Sequence, residues 1–154
     1  MIKLEINFKR RRVGVPVYIW NKNKDKFEDM TALFDTGAHT CAIDIDLFLR
    51  LGYTLDDAAK SYITTATKIN EEVKRVRIDK IMLDDTEIAS VILNTYEFPM
   101  TSYPIILGMN ILRHYKLEMN FKERLITMNQ NYFDSDDIYY DADTFGDWRA
   151  DTGK

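Results

Sequence analysis

The sequence predicts an all-β domain, closed like a barrel and carrying one or two short helices, on three observations. Apolar residues alternate at period two in Ile2, Leu4, Ile6 and Phe8, and again in Val13, Val15, Val17 and Ile19, as in strands buried on one face. Further short apolar stretches follow, each bounded by turn-forming residues, which is the spacing of sandwiches and barrels. The chain shows no internal repeat, and its 154 residues amount to about one domain.

The elements can be justified in order. Ile2 to Phe8 reads as one strand, and Val13–Trp20 as the next. The polar run Asn21-Lys22-Asn23-Lys24-Asp25-Lys26 turns the chain back through Phe27–Phe34. After a strand over Thr40–Ile43, Asp44 can cap a short helix through Leu49, and Gly52 stands where a helix stop is expected. Ser61–Ala66 and Glu71–Ile78 form a strand pair around the tip Thr67-Lys68-Ile69-Asn70, with Asn70 the residue best suited to positive φ. Ile81–Leu83 and Thr86–Leu93 flank the turn Asp84-Asp85. Tyr103–Leu107 leads into a turn at Gly108, and a short helix runs over Met109–Tyr115. Leu117–Phe121 and Leu125–Met128 close the domain around Lys122-Glu123.

Composition narrows the function classes. Hydrophobic residues make up 45% of the chain, enough for one core, since a chain of this size buries roughly two-thirds of its unfolded surface. No run of about 18 apolar residues offers a membrane span, and the charged start Met1-Ile2-Lys3-Leu4-Glu5-Ile6 does not read as a secretory signal. A lone cysteine, Cys41, excludes an internal disulfide and suits a reducing cytoplasm. Its apolar strand makes it a buried structural thiol rather than a nucleophile. Cys41, His39 and His114 lack ligand-like spacing, so neither a metal nor another cofactor is expected. The basic run Lys9-Arg10-Arg11-Arg12 reads as a solvated turn, because the chain is net −4 and has no wider basic surface. Neither nucleic acid nor membrane is an expected partner.

The most informative stretch is Ala32-Leu33-Phe34-Asp35-Thr36-Gly37-Ala38, an apolar run that delivers a carboxylate into a Thr-Gly turn. Desolvating a carboxylate costs several kcal/mol, so such an acid is a structural hub or a reacting group. About seventy residues later a second apolar run, Pro104-Ile105-Ile106-Leu107-Gly108-Met109-Asn110-Ile111-Leu112, also ends in a turn. The chemistry that suits the acid is peptide hydrolysis by a carboxylate pair. Two acids about 3 Å apart cannot both ionise and so share one proton. Gly37 permits the tight turn and brings its N–H toward the carboxylate, while the Thr36 hydroxyl can tie the loop to a counterpart. A second Asp-Thr-Gly at Asp151-Thr152-Gly153 lies at the chain end with no strand after it and reads as coincidence. One credible acid loop per chain, for a mechanism needing two, implies a homodimer with Asp35 beside its own mate.

Residues from roughly Val13 to Met128 resemble the retropepsin-like aspartic proteases, the single-domain family of retroviral proteases and their cellular and bacterial relatives. The resemblance rests on the strand pair Val13–Trp20 and Phe27–Phe34, the Asp35-Thr36-Gly37-Ala38 loop, the strand Thr40–Ile43 and the run Ile105 to Leu112. It implies a closed acid-protease-like β-barrel over residues 1–129. Asp35 would be catalytic, Thr36 would interlock with its symmetry mate, and Gly37 would line the substrate side. The hairpin Ser61–Ile78 falls where the family carries its flap, which makes Thr65, Ala66 and Thr67 substrate-binding candidates. Its tip departs from the retroviral pattern in having no glycine. Pepsin-like relatives place a serine at the position of Ala38, and alanine offers the carboxylate no hydroxyl. Activity is therefore expected at weakly acidic to neutral pH.

The segment 130–154 has a different character. It holds seven aspartates against Arg149 and Lys154, and six aromatics, Tyr132, Phe133, Tyr139, Tyr140, Phe145 and Trp148. Solvating tails have few aromatics, so docking on the dimer or in the cleft is expected of it, with an idle appendage as the alternative. Three functions follow for the chain. The first is a homodimeric aspartic endopeptidase that cuts extended peptides, and the second is an inactive peptide-binding or dimerisation module of the same fold. The third, a hydrolase or transferase using Asp35 as nucleophile, lacks a phosphate-cradling loop or a metal cluster.

Overall fold

The computed structural model describes residues 1–9, 11–65, 67–99 and 103–130. In chain order these form β1 (Ile2–Glu5), β2 (Asn7–Lys9), β3 (Arg12–Asn21), β4 (Lys26–Phe34), β5 (Cys41–Asp44) and α1 (Ile45–Arg50). They continue as β6 (Ala59–Ile63), β7 (Glu71–Leu83), β8 (Thr86–Tyr96), β9 (Ile105–Leu107), α2 (Met109–Leu112), β10 (Tyr115–Asn120) and β11 (Leu125–Gln130).

The larger sheet runs β2-β3-β4-β9-β5-β8-β7-β6, and a further pairing of β3 with β7 joins its two sides. Tyr18 opposite Met82 and Ile19 opposite Ile81 make that closure. The result is a six-stranded ring, β3-β4-β9-β5-β8-β7, the closed barrel that the alternation predicts. Closure leaves no open edge within the ring. Val15, Val17, Ile19, Ile43, Ile78, Ile81, Leu93, Ile105 and Leu107 fill it and are all fully buried. A three-stranded sheet, β1-β11-β10, packs Ile2, Leu4, Ile126 and Met128 onto the same core.

The expected turns sit where placed. Asp44 caps α1 by accepting from the Leu47 N–H, Gly52 follows the helix at φ 93°, and Asn70 takes φ 52°.

Several boundaries differ from the sequence reading: the first hairpin strand is Ala59–Ile63 rather than Ser61–Ala66, and three other differences have a clear physical cause. Ile2 to Phe8 is two strands, because the Ile6 N–H donates to Arg124 O at 2.8 Å and the chain changes partner there. β1 pairs with β11, and β2 pairs with β3. The expected break at Asp79-Lys80 is absent, and β7 runs unbroken for thirteen residues. Its ladder with β8 steps from Ile78↔Val91 to Lys80↔Ala89, around Ser90 at φ 55°. The Asp79 N–H donates instead to the Tyr53 hydroxyl, which donates to Trp20 O. The ladder is interrupted at this one pair, Asp79 and Ser90, and resumes in the same register. The helix expected over Met109–Tyr115 stops at Leu112, because Tyr115 enters the ladder opposite Gln130.

Candidate active site

Asp35 stands where three strands meet. β4 leads into its turn and β5 leads out, while β9 lies between them, parallel to β4 and antiparallel to β5. The registers Leu33↔Ile106 and Phe34↔Leu107 end at the acid. There the Asp35 N–H donates to Leu107 O at 3.1 Å. The Ala38 N–H donates to Asp35 O at 3.2 Å, and the Gly37 N–H to Asp35 Oδ1 at 2.9 Å. The two motifs, some seventy residues apart in sequence, are thus one structural unit.

Gly108 makes the close approach possible. A Cβ there would lie 2.7 Å from Thr40 C and 2.9 Å from Ala38 O. Bare glycine lets the Met109 N–H donate to Ala38 O at 2.8 Å, and the Gly108 N–H donates to Cys41 Sγ at 3.2 Å. Burial pushes the Cys41 thiol up to about 12, against a smaller opposing pull from the Gly108 N–H. Cys41 is an inert packing group, as its apolar strand suggests.

Asn110 completes the clamp. Its Oδ1 accepts from the Cys41 N–H at 2.8 Å, and its Nδ2 donates to Ile92 O at 3.0 Å. The sequence reading gave Asn110 no role. The available signal was a lone amide inside the apolar run Ile105 to Leu112, because a buried polar group needs partners.

Asp35 and Ala38 are half-buried, whereas Thr36 and Gly37 are exposed. Asp35, Gly37 and Ala38 line a cleft of ≈ 500 Å³ together with Thr40, Ala42, Ile106 and Phe98. The β6–β7 hairpin forms its far wall through Tyr62, Ile63, Thr64 and Thr65. Of the hairpin candidates, Thr65 lines the cleft and Thr67 does not, while Ala66 falls outside the described residues. Thr65 also shapes the tip, because its hydroxyl accepts from the Lys68 N–H at 3.1 Å and the Thr67 N–H at 3.4 Å. Arg75 and Asn94 line the cleft as well. The sequence reading singled out neither of them as a site residue.

The gag-polyprotein putative aspartyl protease model matches residues 25–114, more than half of the chain and the stretch that holds both motifs. The chain belongs to this retropepsin-like family. A crystal structure of a retropepsin-like aspartic protease from Rickettsia conorii superposes with a TM-score of 0.58 at 16% identity, covering 84% of this chain and 90% of that one. The retroviral protease-like domain of Ddi1 from Leishmania major gives a TM-score of 0.51 at 16% identity, over 77% of this chain and 88% of that one. At that identity the likeness is one of fold. No curated protein matches the sequence.

Among the described residues no three of His, Cys, Asp and Glu stand close enough to hold a metal ion. None of their helices is long and apolar enough to cross a membrane. The segment 131–154, with its second Asp-Thr-Gly, lies outside the described residues.

Proposed function

We propose that this protein is an aspartic endopeptidase whose catalytic pair is two Asp35 carboxylates, one from each subunit of a homodimer. The observation that carries the reading is an acid turn, clamped by the Gly108 motif, at the mouth of a cleft walled by a hairpin. One carboxylate takes a proton from water, whose oxygen attacks the scissile carbonyl carbon. The other carboxyl gives its proton to the carbonyl oxygen. Collapse of the tetrahedral intermediate breaks the C–N bond, and the leaving nitrogen takes up a proton. The Gly37 N–H holds Oδ1 of the acid in place. The exposed Thr36 and Gly37 are the surface that a second copy would cover, with Thr36 interlocking with its mate.

The substrate is an extended peptide lying in the cleft as an added strand, with the β6–β7 hairpin as cover. The protease domain spans residues 1–129, the acidic aromatic segment 130–154 is a separate tail, and the protein works in the cytoplasm. Because Ala38 offers no hydroxyl to the acid, activity should peak at weakly acidic to neutral pH.

The test is incubation with denatured protein, wild type beside Asp35→Asn. Cleavage by the wild type, lost by about 10²–10⁴-fold in the variant and falling in specific activity on dilution as subunits separate, supports the enzyme. Capture of peptide by the wild type with no cutting at any pH overturns it and leaves a binding module.

A further inference from the structure

The cleft carries a feature that hydrolysis does not require. A single row of paired residues crosses the sheet from β4, the strand that leads into Asp35: Leu33↔Ile106, Ile106↔Ala42, Ala42↔Asn94 and Asn94↔Arg75. Directly paired residues point to the same face of a sheet, and Ile106, Ala42, Asn94 and Arg75 all line the cleft. Ala42 is the small member, so the row dips between Ile106 and the polar pair. At about 4.8 Å per strand, Asn94 and Arg75 lie well to one side of the acid.

Arg75 is 9% exposed and Asn94 6% exposed. The Arg75 guanidinium is fixed in the floor by Ser61, whose Oγ accepts from Nη2 at 3.2 Å. Arg75 is the one permanently cationic side chain among the described residues that line the cleft. Asn94 Oδ1 is sealed from water and has no hydrogen-bond donor among the described residues. A buried acceptor without a donor is costly, and a half-turn of the carboxamide would pass that demand to the cleft.

An apolar substrate side chain seated here would strip the remaining water from Arg75 and leave Asn94 unmet. A planar carboxamide meets both demands, and a carboxylate meets that of Arg75 while accepting from the Asn94 NH2. Either group's oxygen accepts from the guanidinium, a charge-assisted bond. The Asn94 amide then donates to a second carboxylate oxygen, or accepts from a carboxamide NH2 once turned.

We infer that Arg75 and Asn94 form a specificity subsite for a glutamate or glutamine side chain of the substrate, at the second residue from the scissile bond or beyond. This rests on the endopeptidase reading for the identity of the ligand as a peptide.

The test uses eight-residue peptides with apolar centres, in which one position at a time is Glu, Gln, Leu or Lys. Binding to the full chain carrying Asp35→Asn is read by fluorescence anisotropy, and cleavage by the wild type is read separately. At one position Glu and Gln peptides should bind about ten- to a hundred-fold tighter than Leu, with Lys weakest. Arg75→Met should abolish that ranking. Added salt should weaken the Glu preference and spare that for Gln, a readout on unsubstituted cleft residues that stands even if Arg75→Met does not fold. Asn94→Leu should lower binding of Gln more than that of Leu. Equal binding of all four peptides at every position, or an unchanged ranking in a folded Arg75→Met, overturns the subsite. Ranked binding with no cleavage by the wild type overturns the activity and leaves the subsite standing. Cleavage without ranking does the reverse.

Discussion

The Asp35 turn and the tip of the β6–β7 hairpin are both loops over one cleft, yet they are held by opposite means. The acid turn is fixed by contacts from far along the chain: Leu107 O on its own N–H, Met109 on Ala38 O, Asn110 on the Cys41 N–H. The hairpin tip is held by its own neighbours. Thr65 accepts from residues two and three positions on, the Thr65 N–H donates to Lys68 O, and Lys68 pairs with Glu71 at 3.3 Å. Ile69 at the tip is 81% exposed. Exposed, short-range bonds open at low cost, whereas buried bonds spanning some seventy residues open only with the core. The difference suits the division of labour proposed above, a fixed acid beneath a cover that moves.

The sharpest break in that contrast is Asn110→Leu. It keeps the volume but orphans two buried backbone groups, the Cys41 N–H and Ile92 O. Each costs about 1–3 kcal/mol, so denaturant unfolding should show the largest loss of any single change here. Gly108→Ala comes next. A Cβ placed 2.7 Å from the Thr40 backbone must push β5 off the acid turn, at about 1–3 kcal/mol. Its activity should fall further than its stability, because the displaced strand carries the geometry of Asp35. Equal activity per folded molecule in Gly108→Ala would mean that the clamp does not position the acid.

Much of the clamp was legible in the sequence, and the reason is chemical. A carboxylate after an apolar run, and a glycine after another, are each costly unless something specific uses them, so Asp35 and Gly108 stand out. Gly52 and Asn70 were legible because few residues tolerate positive φ. Partners were not legible. The alternation of Ile2, Leu4, Ile6 and Phe8 reports which face is buried, and nothing in it says that β1 joins β11 while β2 joins β3. Asp79 and Lys80 imitate a turn, and the strand continues because the Tyr53 hydroxyl takes the Asp79 N–H where Ser90, at positive φ, drops out of the ladder. Arg75 and Asn94 were hidden for a related reason. Their meeting depends on register across β7 and β8, which a single sequence does not encode at the level of individual pairs.

A smaller effect tests the buried side of the contrast through pH. The Cys41 thiol, ordinarily near 9.0, is pushed up to about 12 by burial. It is neutral in both states below pH 9, so its contribution to stability is fully present there. Above pH 9 the unfolded chain ionises first, and stability falls as pH rises toward 12. Burial also pushes the Tyr53 hydroxyl from 10.0 to about 12, so the thiol is isolated by the difference between wild type and Cys41→Ala across pH 8–11. That difference should narrow as pH rises, and a constant difference would mean that Cys41 is not sealed in the core.

Thr65→Val should have the smallest effect on folding and the most selective effect on function. Valine matches threonine in shape and removes only the hydroxyl that accepts from the Thr67 and Lys68 N–H groups. Those bonds are exposed, so water replaces them, and the loss should stay below about 1 kcal/mol. Hydrogen exchange at the two amides should quicken while exchange across β4, β5 and β9 is unchanged. If the hairpin is the cover over bound peptide, its closed form becomes less populated and KM rises with little change in melting temperature. Unchanged kinetics beside faster exchange would make the hairpin a surface feature without a part in binding. Unchanged exchange would mean that the tip is held by more than its own neighbours, and the contrast with the acid turn would fail at its weaker end.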